Sequence, residues 1–419
     1  MKLFARPQMY KLPRLWFTLF AAALPATLAL GQTVPKYRID PDQAYGGMVS
    51  EYFSEVEYIP LETTKESIFG DVHQLLPTDS GFVIGDRDTR SILVFSTKGK
   101  FIRKLNEYGN LHHDKVNNLV IVMKFASNMR SVIFMYYTLS GVPLPERKQE
   151  FQLERNATGL KLLTPLSADF FLQSVGCTAS DPGNGPCHFL SVYRKDALYK
   201  QLLPVREDIS LATARIHGYI PMPKVIENGT ALVSTPLDFG LYRVSADSAV
   251  KIAQIVFPGS RMLSADILRT KDPRVLDSIR KSIDSRQELI LNVENLFFLG
   301  NKLFFKLVVP VYAIASQSAM NKYQYNFVYD TASGKLSTLD RVTPDEASWY
   351  LPLFSEGAKS GGAAIFQKQL YSHISSLQLF QSLDAAKARQ AKFPPVLENY
   401  FKKSDRTSNP VIVRMKLKE

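Results

Sequence analysis

Cysteine and histidine are scarce: 419 residues carry 2 Cys and 6 His. That excludes a zinc-finger array, a thiolate-held cluster and a disulfide-stapled scaffold. No Gly-x-Ser-x-Gly elbow, Walker loop or His-Glu-x-x-His motif is present, so no residue stands out as catalytic or metal-binding and no cofactor is implied. The formal net charge is +12, yet no block of five like charges occurs, and no basic patch interleaves with aromatics. Nucleic acid is therefore not an expected partner. Beyond residue 31 no segment is long and apolar enough to span a bilayer. What the chain does hold is a 45% hydrophobic content, enough to bury a core, and 11% aromatics, which lean towards strands.

The first 31 residues read as a signal peptide. Lys2, Arg6, Lys11 and Arg14 form a basic start, Leu15 to Leu28 is apolar, and Ala29 and Gly31 occupy the −3 and −1 positions before Gln32. The apolar run is interrupted by Pro25 and is shorter than the roughly 20 residues of a membrane span. Export to the periplasm or the extracellular space is the expectation. Removing four cations and no anion leaves a mature charge of about +8, which suits an anionic glycan, cell-wall polymer or lipid headgroup as well as a plainly solvated surface.

From Val56 onward the pattern is short β runs broken by turns. Val56–Leu61 alternates apolar and polar residues, and Gly81–Gly85, Ser91–Phe95 and Phe101–Leu105 follow, the last two joined through Lys98-Gly99-Lys100. The tail of this unit returns at Phe189–Tyr193 with Leu198–Leu203, at Gly240–Val244 with Val250–Phe257, and at Tyr325–Tyr329 with Leu336–Leu339. Recurrence at roughly 50 residues is the period of propeller blades or stacked repeats. Two helices are expected, one after Asp272-Pro273 and one over Ser382–Gln390 stopped by Pro394-Pro395, both as insertions between blades. The orphan strand at Val56–Leu61 and a last strand at Val411–Lys416 would complete one sheet by pairing.

The run from Asp86 to Leu105, Asp-Arg-Asp-Thr-Arg-Ser followed by the two strands around Lys98-Gly99-Lys100, resembles the NHL repeat. With Tyr58-Ile59-Pro60-Leu61-Glu62-Thr63-Thr64, the later Gly70, and the closing Ser408–Lys418, the chain is similar to the exported bacterial six-bladed β-propellers related to those repeats. The resemblance implies an all-β, six-bladed β-propeller over residues 51–419 with small helical insertions, preceded by an extension over 32–50. The long loops and the lack of a catalytic motif favour a monomeric ligand-binding or protein-interaction module at the cell envelope over an enzyme, without excluding one. The alternative is a lyase or hydrolase on glycan or peptide with its site at the channel mouth. Where that family carries a Gly-rich, Pro-containing loop after this blade, Gly109-Asn110-Leu111-His112-His113 stands instead.

With this blade phase the long segments fall on one face: Asp86–Ser91, Gly109–Asn117, Cys177–Cys187, Pro258–Asn292, Val311–Lys322 and Tyr371–Ser408. Long loops on a rigid scaffold are where binding resides. Arg87, Arg90, His112 and His113 are the candidate ligand-binding residues there, for an envelope protein or glycan of anionic character. Cys177 and Cys187 enclose nine residues and read as a disulfide in an oxidising compartment, with redox or metal chemistry as the rival. Asp86 and Asp88 either hold the turn or offer paired carboxylates.

Overall fold

The computed structural model describes residues 34–418 apart from 128–130, 153–162, 168, 176–186, 196, 217–220, 222, 228, 284–288, 309–325 and 356–362. The expected signal segment 1–31 lies outside the described residues. Pro35–Glu419 forms one compact unit.

Six sheets make up this unit. Three short strands, β1 (Lys36–Arg38), β2 (Tyr45–Met48) and β3 (Phe53–Pro60), open the chain. Blade I is β4 (Gln74–Thr78), β5 (Gly81–Asp86), β6 (Ser91–Ser96) and β7 (Phe101–Leu105); blade II is β8 (Asn110–Asp114), β9 (Leu119–Phe125), β10 (Ser131–Thr138) and β11 (Gln149–Gln152). Blade III is β12 (Leu163–Pro165), β13 (Phe170–Ser174), β14 (His188–Arg194) and β15 (Ala197–Pro204). Blade IV is β16 (Lys224–Glu227), β17 (Thr230–Ser234), β18 (Gly240–Ser245) and β19 (Ala249–Val256). Blade V is β20 (Asn292–Leu299), β21 (Lys302–Val308), β22 (Phe327–Asp330) and β23 (Leu336–Thr343). Blade VI is β24 (Ala364–Phe366), β25 (Gln369–Ile374) and β26 (Val411–Leu417), completed by β3.

The expected pairing of the first and last strands is present: β26 runs antiparallel to β3 with Val411 opposite Pro60 and Met415 opposite Val56. Strands such as Gly81–Asp86 are buried at every position, because neighbouring blades cover both faces of a blade and no polar face is needed. Apolar clusters fill the spaces between blades. Val83, Ile92 and Val120 join I to II, Phe134 and Phe171 join II to III, and Leu190 and Val233 join III to IV. Leu241 and Phe305 join IV to V, Phe304 and Val413 join V to VI, and Ile412 and Phe82 join VI back to I. Six interfaces follow one another in a circle.

The opening phrase noted in the sequence has a job in this circle. The Glu62 N–H donates to the Gly99 carbonyl at 2.8 Å, and its carboxylate accepts from the Phe101 N–H at 2.9 Å, tying the end of β3 to the β6–β7 turn. Gly99 sits at φ +73°, and a Cβ there would collide with the Pro60 carbonyl, so this turn takes glycine for both reasons.

Two features were not expected. The segment before β3 adds a parallel strand to the outer edge of blade IV (β1 on β19) and another to blade V (β2 on β23). It is pinned by Arg261 Nε donating to Asp42 at 3.1 Å and by the Ser50 N–H donating to Asp345 at 3.0 Å. The helices also differ from expectation. The one at Pro273–Ile283 (α1) starts at the expected proline. The next covers Ser376–Ala388 (α2), starting earlier than expected because the Ser375 hydroxyl accepts from the Gln378 N–H at 3.2 Å. Pro395 opens a further helix, Pro395–Lys403 (α3), rather than only ending the previous one. Both α2 and α3 lie between the second and third strands of blade VI, not between blades.

Candidate functional site

Each blade begins with its innermost strand, and these strands alternate direction with the next, so connections leave at two faces. Links between second and third strands, and links between blades, share one face. That face receives the connections containing α1, α2 and α3, while turns such as 79–80, 300–301 and 367–368 sit on the other. One exception is 139–148, a ten-residue connection on the short-turn face.

Arg87 and Arg90 are exposed on the long-connection face, in the β5–β6 turn. Asp86 is fully buried, and its carboxylate accepts from the Asp88 and Thr89 N–H groups at 3.1 and 3.2 Å and from the Thr89 hydroxyl at 2.5 Å. It therefore holds the turn that presents the two arginines. Cys187 closes the β13–β14 connection; its expected partner Cys177 lies outside the described residues.

His112 and His113 are placed differently from the expectation. Residues 110–114 are not a loop on the long-connection face but the innermost strand of blade II, which crosses from that face to the other, and the 115–118 turn lies on the opposite side. An inner strand faces a channel rather than a core, so it lacks the apolar alternation by which a strand is recognised. The four candidate residues thus do not form one cluster: the arginines sit on a turn, and the histidines line the axis.

The inner strands of blades I, II, III, IV and VI line a cavity of about 240 Å³. Leu75, Leu111, Val225 and Phe366 supply apolar wall, and His112, His113, Lys115 and Lys224 supply nitrogen. The Nε2 atoms of both histidines are buried with no hydrogen-bond partner in the protein. Lys224, the first residue of β16, has its ammonium disfavoured by burial and by Lys115 and Lys306. Asp114 does not offset this charge, since its carboxylate accepts from the Val116 and Asn117 N–H groups at 3.0 and 3.1 Å and from Asn117 Nδ2 at 2.7 Å. Glu294 on β20 stands opposite Lys306, and burial pushes its carboxyl up to about 7. No group of three metal-ligating side chains occurs among the described residues. Lys115, Lys224, Glu294 and Lys306 escaped the sequence reading because they belong to no motif. Only the ring brings them together.

Burial and Lys224 together hold His112 down to about 4, from an ordinary 6.5. The unfolded chain then takes up a proton before the folded one does. This contribution is complete above about 6.5 and is lost progressively as pH falls towards 4, amounting to as much as about 3 kcal/mol. His113 is also lowered by burial and Lys115, against Asp79 and Asp114. We expect His112→Gln to flatten the fall in stability between pH 7 and 4, measured by urea unfolding at stepped pH. Parallel curves for variant and parent would refute it.

A family model described as a 6-bladed beta-propeller matches residues 33–150. Among solved structures, an exported-protein candidate from Bacteroides fragilis is 16% identical with a TM-score of 0.60, covering 92% of this chain and 100% of that one. A Bacteroides vulgatus protein is 9% identical with a TM-score of 0.41, covering 88% and 98%. No curated protein matches the chain. The described residues contain no helix long and apolar enough to cross a membrane. The six sheets, the clusters between them, the family model and the likeness to the Bacteroides fragilis structure together give the fold: the chain is a six-bladed β-propeller.

Proposed function

We propose that this propeller is an exported binding module of the cell envelope, periplasmic or extracellular, engaging an anionic glycan or protein through its long-connection face. The observation that carries the reading is the gathering of the connections bearing α1, α2 and α3 on one side of the ring. Surface loops lengthen at small entropic cost, so a fixed scaffold acquires binding surfaces this way. Arg87 and Arg90 stand exposed on that side, and the likeness to an exported-protein candidate agrees with the basic, apolar run at residues 1–31. A disulfide between Cys177 and Cys187 would brace the β13–β14 connection on the same face. Such a closure stabilises by roughly 3 kcal/mol in the chain-entropy model.

A thermal-shift screen of the mature protein against anionic and neutral glycans and cell-wall fragments tests this. A ligand at a hundredfold its Kd adds about 2.7 kcal/mol, a shift of several degrees. The shift should come from anionic members and shrink above about 0.15 M salt. Shifts from neutral members alone would contradict it. The same preparation, sequenced from its N-terminus after export, should begin at Gln32; retention of residues 1–31 would refute the signal peptide.

The second reading, catalysis at the channel mouth, has one observation in its favour: Glu294, held near 7, is poised to exchange a proton at neutral pH. Turnover of a glycan or peptide that is lost in Glu294→Gln would establish it, and unchanged turnover would remove Glu294 from it.

A further inference from the structure

We propose that the central channel is a binding site for a small organic carboxylate, its head held by His112 and Lys224 and its body lying on the apolar side chains of the inner strands. This site is independent of the long-connection face.

The size comes first. A cavity of about 240 Å³ is many times the roughly 10–15 Å³ that one water needs on the same measure. That is too large for a bare inorganic anion to fill, and it lies below the roughly 300–1,000 Å³ of drug-sized sites. A compact organic molecule fits.

The charge comes next. Among the described residues no hydrogen bond or ion pair engages the Lys224 ammonium, and Lys115 reaches only the Ile226 carbonyl, at 3.4 Å. Both histidine Nε2 atoms lack partners, and the one carboxylate of the lining, Asp114, is occupied by its own turn. Lys224 is half-buried, which already disfavours its ammonium, and an anion seated beside it offsets that cost. Leu75, Leu111, Val225 and Phe366 suit a hydrocarbon body.

Protonation gives the site a signature. The charged group facing His112 is Lys224 from β16, which itself feels Lys115 from the β8–β9 turn and Lys306 from β21, while Lys115, Asp79 and Asp114 face His113. A carboxylate placed among them raises the affinity of His112 for a proton, so binding at neutral pH draws protons from the buffer.

The test is calorimetric titration of the whole mature protein with linear carboxylates from butanoate to decanoate and with benzoate, in two buffers of different ionisation enthalpy. The matching amides and inorganic phosphate serve as comparisons. We expect at least one carboxylate to bind with proton uptake, and its amide and phosphate to bind at least tenfold more weakly. Lys224→Met and His112→Gln should each weaken it at least tenfold while keeping the ligand-free unfolding midpoint or raising it. Absence of binding across the carboxylates, equal binding of the amide or of phosphate, or an unchanged affinity in folded Lys224→Met would overturn the proposal.

Discussion

Truncation after Ser408 is expected to abolish cooperative unfolding of the whole chain, not to trim a tail. The lost strand, β26, lies between β25 and β3 inside blade VI, and Val411, Ile412, Val413 and Met415 are all fully buried. At about 1.5–3 kcal/mol for each buried side chain, their removal costs on the order of 6–12 kcal/mol. That matches the entire stability of a typical domain, about 5–15 kcal/mol. It also strips β3 of its neighbour and opens the interface where Ile412 packs on Phe82 of blade I. Circular dichroism with urea unfolding reads the outcome. A truncated chain that melts as the full chain does would mean that the pairing of first and last strands carries no stability.

The second large effect concerns one side chain. Asn409, fully buried just before β26, accepts at Oδ1 from the Phe69 N–H at 3.2 Å and donates from Nδ2 to the Glu62 and Ser67 carbonyls at 2.8 and 2.9 Å. It thereby ties the link leaving β3 to the strand that ends the chain. Ser376 and Tyr400 extend the network, with Tyr400 donating to the Ser376 hydroxyl at 2.7 Å and that hydroxyl donating to the Asn409 carbonyl at 2.6 Å. Asn409→Ala leaves the buried Phe69 N–H and Ser67 carbonyl without partners, while the Glu62 carbonyl keeps the Ser67 hydroxyl at 2.7 Å; at about 1–3 kcal/mol for each orphaned group, a loss of about 2–6 kcal/mol is expected. The urea midpoint should fall with its slope unchanged. A loss below about 1 kcal/mol would show that water or a shifted backbone replaces these bonds.

Much of the ring was legible before the structure, for a physical reason. Middle strands such as Ser91–Ser96 are covered on both faces and read as apolar runs, and hairpins such as 91–105 declare themselves through Lys98-Gly99-Lys100. The closing pair was legible from two strands without neighbours, at Phe53–Pro60 and Val411–Leu417. What escaped was the axis. Asn110-Leu111-His112-His113-Asp114 has no strand-like alternation, because a channel accepts polar and apolar residues alike. Lys224 lies 112 residues from His112 in the sequence, and nothing local announces that the two line one cavity. Residues 35–48 escaped too, since strands of three and four residues give no periodic signal.

Removing equal charge from both sides of one blade decides whether the long-connection face is the binding face. Arg87→Ala with Arg90→Ala alters the β5–β6 turn, and Lys98→Ala with Lys100→Ala alters the β6–β7 turn on the opposite face. Each pair removes two exposed cations, so the change in net charge is the same. Affinity for the anionic ligand found by thermal shift, measured by titration at 0.15 M salt, should fall at least tenfold in the arginine pair and stay within about twofold in the lysine pair. Loss in the lysine pair with retention in the arginine pair would contradict the account.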